Sequence, residues 1–247
     1  MKRRTLLLLL TAALAFAVPA RADVFLLGFT GFDFENPNLV GAPGDGSSAN
    51  YLNPSPPAPP PGEGYEMVGF VTSFNPTLFY ADTTVNEYTI DLFGLTASLK
   101  AYTPPVLDVL CNPGRVRYFE DAKSGGTHGD YGTFPPNATA PSTFDDGTLA
   151  LGGGVSNFEL EYDYSTNQGD FVGNVNLDEG AYLFYVPVSQ RNGWILGGLS
   201  GNEHELAGPP NPNIPAGYNH QVSGQCNRPD ATPAHSATWG AIKALYR

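Results

Sequence analysis

Positive charge is scarce in this chain. Twelve lysines and arginines stand against 24 aspartates and glutamates, and four of the twelve fall within the first 22 residues. Such a surface cannot neutralise a phosphate backbone, so nucleic acid is excluded as a partner. Docking on anionic lipid is excluded for the same reason. Cysteine is scarcer still, with only Cys111 and Cys226. Neither belongs to a C-x-x-C pair, which removes the usual thiolate zinc scaffold. The four histidines, His128, His204, His220 and His235, form no H-x-H or H-E-x-x-H pattern, which removes the imidazole one. After residue 22 no apolar run approaches the roughly 20 residues of a membrane helix, so stable membrane insertion is not expected.

The first 22 residues read as a leader. Lys2, Arg3 and Arg4 precede an apolar stretch from Leu6 to Val18, and Ala20-Arg21-Ala22 is a small-x-small cleavage site. This is the pattern of a secretory signal peptide. The mature chain is expected to start near Asp23 and to work in the periplasm or outside the cell. It would hold 8 basic and 24 acidic residues, a net charge of −16. In an oxidising compartment two cysteines most often bridge. A Cys111–Cys226 disulfide is therefore expected, stabilising by about 4–5 kcal/mol in the chain-entropy view.

Glycine (29) and proline (23) are plentiful, which favours turns over helices. Period-2 alternation marks strands at 24–34, 65–74, 86–95 and 115–121. Further strands are expected after the Asp146-Gly147 turn, through 158–164, at 170–177 and at 193–199. Residues 181–188 (AYLFYVPV) are apolar on both faces and read as a central, doubly covered strand. A Pro-rich loop is expected at 35–64 and irregular chain at 201–235. Trp239, Ile242 and Leu245 recur at helical spacing behind Thr238, which predicts a short terminal helix over 238–246. The resulting expectation is all-β: one antiparallel sandwich of jelly-roll type over 23–247, with that helix packed on it.

The run FDDGTLALGG (144–153), together with the closing Thr238-Trp239-Gly240 and Lys243-Ala244-Leu245-Tyr246-Arg247, resembles uncharacterised secreted bacterial β-sandwich proteins with an F-x-D-G-T-L strand-turn motif. The resemblance implies export and a β fold and carries no activity.

Residues 158–164 (FELEYDY) hold the densest polar pattern. In an extended strand Phe158, Leu160, Tyr162 and Tyr164 point one way and Glu159, Glu161 and Asp163 the other. Carboxylates on alternate positions lie about 6.6 Å apart, near the spacing glycosidases use. The run resembles the E-x-D-x-E strand of laminarinase-type jelly-roll glycosidases, with the departure that Asp163 stands for the second Glu and Glu161 for the central Asp. Calcium is the cofactor that the remaining acids would suit, since it takes six to eight oxygen ligands from loops. Asp121, Asp145 and Asp146, in turns around the FDDG run, are the candidate ligands. Gly152-Gly153-Gly154 lacks the helix and lysine of a phosphate loop.

These readings converge on a secreted, non-catalytic module with a structural or ligand-binding role. The partner would be a glycan or an extracellular protein, with Glu159, Glu161, Asp163, Tyr162 and Tyr164 as the ligand surface. Carbohydrate binding with calcium is the first alternative. A glycoside hydrolase using Glu159 and Glu161 is the second.

Overall fold

Long strands dominate the computed structural model. It describes residues 24–36, 63–78, 80–123, 144–163, 165–201, 214, 218 and 220–229. Nine strands follow in chain order: β1 Val24–Asn36, β2 Glu63–Phe74, β3 Asn86–Thr103, β4 Val106–Cys111, β5 Gly114–Ala122, β6 Thr148–Asp163, β7 Gln168–Glu179, β8 Trp194–Gly201 and β9 His220–Arg228. With two exceptions the described residues belong to one unit, Phe25–Arg228. The exceptions, Val24 and Pro229, belong to a second unit made of the two chain ends.

β4 and β5 lie end to end in a single position between β3 and β6. β4 pairs with Ala97–Thr103 of β3 and Phe158–Asp163 of β6. β5 pairs with Asn86–Phe93 of β3 and Thr148–Val155 of β6. The ring then runs β2-β1-β9-β8-β7-β6-β4/β5-β3, and β3 returns to pair with β2. The result is a closed eight-strand antiparallel barrel. This corrects the expected jelly-roll sandwich. Alternation of apolar and polar residues says only that one face is covered. A second sheet or the far wall of the same sheet satisfies it equally. What decides is the length of β3 and β6, 18 and 16 residues. Each is long enough to carry two partners on one edge and a third on the other.

The interior is filled. Phe158 and Phe171 stack at 5.7 Å between ring centroids, Tyr65 approaches Phe158 at 5.6 Å, and Phe29 approaches Phe171 at 6.3 Å. All four rings are buried. Each such aromatic stabilises by about 1.5–3 kcal/mol on burial. A second apolar cluster lies on the outer wall of β1 and β2, where Phe34 and Val68 are covered by Phe144, Ile214 and Tyr218. Gly152-Gly153-Gly154 lies within β6. A side chain at Gly153 would collide with the carbonyl of Asn176 on β7, so the glycines allow the strands to approach.

Three further expectations are corrected. Residues 181–188 are not a strand. Gly180, at φ +109°, ends β7, and the chain turns through two 3-10 helices, Leu183–Tyr185 and Val188–Gln190. Pro187 offers no N–H to a ladder, and Arg191 takes the carbonyls of Leu183 and Val186 with its guanidinium. Second, β9 lies within the stretch expected to be irregular. Its inward positions are His220, Val222, Gly224 and Cys226, a set with too little aliphatic character to read as a strand face. Third, the disulfide is absent: Cys111 and Cys226 are both free and buried. Cys111 lies on β4 and Cys226 on β9, with β6, β7 and β8 between them around the ring. Disulfide geometry needs Cα atoms within about 7 Å. The predicted leader, the helix at 238–246 and residues 37–62 of the Pro-rich loop lie outside the described residues.

Candidate functional site

The acidic strand took the orientation that its alternation implies. Phe158, Leu160 and Tyr162 are buried in the barrel, while Glu161 on the outer wall is exposed. Lys100 on β3 reaches between two carboxylates, 3.0 Å from Glu159 and 3.3 Å from Asp108. Exposed pairs of this kind contribute about 0.2–1 kcal/mol. Asp163 has a local task. Its Oδ1 accepts the backbone N–H of Ser165 at 2.8 Å and its hydroxyl at 2.6 Å, which shapes the β6–β7 turn and holds the carboxyl below its ordinary range. The three acids therefore stand along a convex wall, and among the described residues no opposing set faces them across a cleft. Tyr162 points inward and donates to Asn167. Tyr164 lies outside the described residues.

The candidate calcium ligands sit at the other end of β6. Asp121 is near the end of β5, where its carboxylate accepts the N–H of Ala122 at 2.8 Å. Asp145 and Asp146 lie in the turn before β6. A Cβ placed on Gly147 would be 2.8 Å from the Glu120 carbonyl, so that turn presses against β5. Among the described residues no group of three or more His, Cys, Asp or Glu side chains is arranged to hold a metal ion.

Ring closure builds a polar cluster that no local pattern announces. Asp33 on β1 is fully buried and accepts three hydrogen bonds. They come from the Tyr65 hydroxyl, the His220 backbone N–H and His220 Nδ1, each at 2.9 Å. The His220 ring packs against Tyr162 at 4.8 Å. Burial, then the adjacent Asp33, pushes the Tyr65 phenol well above its usual range. A buried carboxylate supplied with donors in this way ties β1, β2 and β9 together.

The opposite end of the barrel is aromatic. The turn after β2 brings Tyr80 against the turn after β7, where Tyr182 and Tyr185 stack on it at 4.5 and 5.8 Å. Phe184 lies on Tyr185 at 3.7 Å. Beneath Tyr80 is a small apolar recess of about 20 Å³ lined by Leu26, Val71, Phe74 and Tyr118 among others, room for about one water. The Tyr182 hydroxyl donates to Glu120 at 2.9 Å, and Asn86 donates to the other oxygen of that carboxylate at 2.9 Å. Burial, then this hydrogen bond, push the Tyr182 phenol up to about 12. Phe184 is 69% exposed and Tyr185 42%.

The sequence names Tyr182 and Tyr185 as aromatic but assigns them to a buried strand. It does not mark Tyr80 or Phe184. The usable signals were Gly180 before the run and Pro187 within it, both of which break strands. No protein-family model, no curated protein and no solved structure matches this chain.

Proposed function

We propose that the mature chain is an exported, non-catalytic ligand-binding module that meets its partner at the aromatic end of the barrel. One observation carries this reading. The turn between β7 and β8 displays Phe184, Tyr185 and Val188 (74% exposed) on a rigid frame, where a soluble barrel would ordinarily carry polar residues. Contiguous exposed apolar surface of this kind marks interaction sites. The barrel supplies stiffness: its interior is packed with aromatic rings, and its wall carries Glu159, Glu161, Asp170, Gln221 and Ser223 outward. These polar positions, beside the apolar cluster over β1 and β2, do not make the continuous lipid-facing apolar band of a transmembrane barrel. This supports a water-exposed module. The hydrolase alternative gains no support from Glu159 and Glu161, which stand on a convex wall beside Lys100.

The test is cosedimentation of purified mature protein with the surface material of the cells that produce it. Wild type is expected to sediment with that material. The double variant Phe184→Ala, Tyr185→Ala should remain in solution. Equal retention of both proteins would remove the aromatic end from the reading.

A further inference from the structure

We propose that the strip Tyr182–Tyr80–Tyr185–Phe184 is a binding site for neutral glycan, in which the apolar C–H face of a sugar ring lies on the exposed aromatic surface and its hydroxyls meet the polar groups beside it. This rests on the ligand-binding reading above and narrows its ligand to one chemical class.

The strip is ordered before any ligand arrives. Ala181 and Tyr182 donate their backbone N–H groups to the carbonyls of Leu149 and Ala150, both at 2.9 Å. Leu177 donates to the Arg191 carbonyl at 2.7 Å, closing the turn at its base. The Arg191 guanidinium bonds the carbonyls of Val186 at 3.1 Å and Leu183 at 3.2 Å. Tyr88 fastens the facing turn by accepting the Asp82 N–H at 2.9 Å. A frame held at this many points loses little conformational freedom on binding, so less of the contact energy is spent on ordering.

The chemistry of the strip suits a neutral polyol. Tyr80, Tyr182 and Tyr185 are mutual neighbours, with ring centroids 4.5, 5.8 and 6.1 Å apart, and Phe184, which lies on Tyr185 at the edge of this group, is the most exposed of the four. Sugar C–H bonds can pack on that ring. Tyrosine hydroxyls and the Glu120 carboxylate lie within the same cluster. Glu120 already receives Asn86 and Tyr182 and lies against the Tyr88 hydroxyl, yet a carboxylate accepts up to about four hydrogen bonds. Sugar hydroxyls are donors that use the remaining positions.

Charge narrows the alternatives. The chain carries a formal net charge of −12. A second copy would bring the same negative field to the contact, and an anionic lipid or anionic polysaccharide would be repelled. A neutral ligand pays no such penalty.

The experiment titrates the mature protein with a panel of neutral oligosaccharides built from glucose, mannose, xylose and N-acetylglucosamine, followed by calorimetry and by tyrosine fluorescence. At least one is expected to bind saturably. Phe184→Ala should weaken it tenfold or more at unchanged melting temperature, and raised salt should leave it nearly unaffected. Tyr182→Phe, which keeps the ring and removes the hydrogen bond to Glu120, should weaken it less. The assignment is overturned if no member of the panel binds, or if Phe184→Ala binds as wild type. It is also overturned if the strip proves to be a self-contact, seen as a dimer in light scattering that Phe184→Ala dissolves. Loss of cosedimentation in the double variant without any glycan binding would overturn the glycan alone. Retained cosedimentation would overturn the wider reading.

Discussion

Asp33 and His220 are 187 residues apart in the chain, and the ring nitrogen of one lies 2.9 Å from the carboxylate of the other. Both are fully buried. They belong to β1 and β9, the first and last strands of the chain, which are neighbours in the ring, so this contact joins its two sequence-distant strands. Removing one partner of a buried charged network leaves the others desolvated and unpaired. Asp33→Ala is expected to destabilise by about 3–5 kcal/mol, read as a lower urea midpoint at unchanged slope. Asp33→Asn keeps an oxygen for the His220 donors and should cost about half as much. If the alanine variant unfolds at the wild-type midpoint, the cluster does not hold the ring closed.

The two thiols give a second test. Burial pushes both Cys111 and Cys226 up to about 12, so almost no thiolate exists at neutral pH and neither is a nucleophile in the folded state. Alkylation of the native protein at pH 7.5 should add nothing. Alkylation in denaturant, without reductant, should add two groups by mass. A reducing agent should leave the melting temperature unchanged. Recovery of a bridged peptide from purified mature protein would contradict the geometry.

Stability should fall as pH rises, because of Asp91. This carboxyl lies on the outer wall of β3, in register with Val68 on β2 and Arg117 on β5. Burial, then Glu66, then Asp145 push it up to about 8, against the pull of Arg117. The folded state therefore keeps a proton that the unfolded chain releases near pH 4. Folding binds that proton, so its contribution is undiminished below about pH 4, erodes between about pH 4 and 8, and then levels off. Asp91→Asn removes the titration. Thermal scans should show the variant gaining over wild type as pH rises from 5 to 8, by about 1 kcal/mol or more at pH 8 after allowance for partial exposure. Parallel curves for the two proteins would refute the burial of that charge.

Lys100 provides the contrasting case. It is 45% exposed at its side chain and bridges Glu159 and Asp108 on the outer wall. Lys100→Ala should cost less than about 1 kcal/mol, or roughly 2–4 °C for a domain of this size. The deficit should shrink in 0.5 M salt. A loss as large as that of Phe171→Ala, expected at about 3–5 kcal/mol, would mean that the acidic wall holds the fold together rather than merely decorating it.

Period-2 alternation by itself determined most of the strands and the direction of their side chains. Phe158, Leu160 and Tyr162 went in and Glu159, Glu161 and Asp163 went out, because the pleat leaves no other choice once one face is covered. Composition likewise set the acidity and the abundance of turns. Tertiary structure decided whether the sheet closes, and with it everything that depends on neighbours distant in sequence. It placed three strands between Cys111 and Cys226, brought Asp33 to His220, and turned residues 181–188 outward to meet Tyr80. A pleat fixes the side on which a residue lies but not the strand beside it; that choice is made by hydrogen-bonding edges, which carry no side-chain signature.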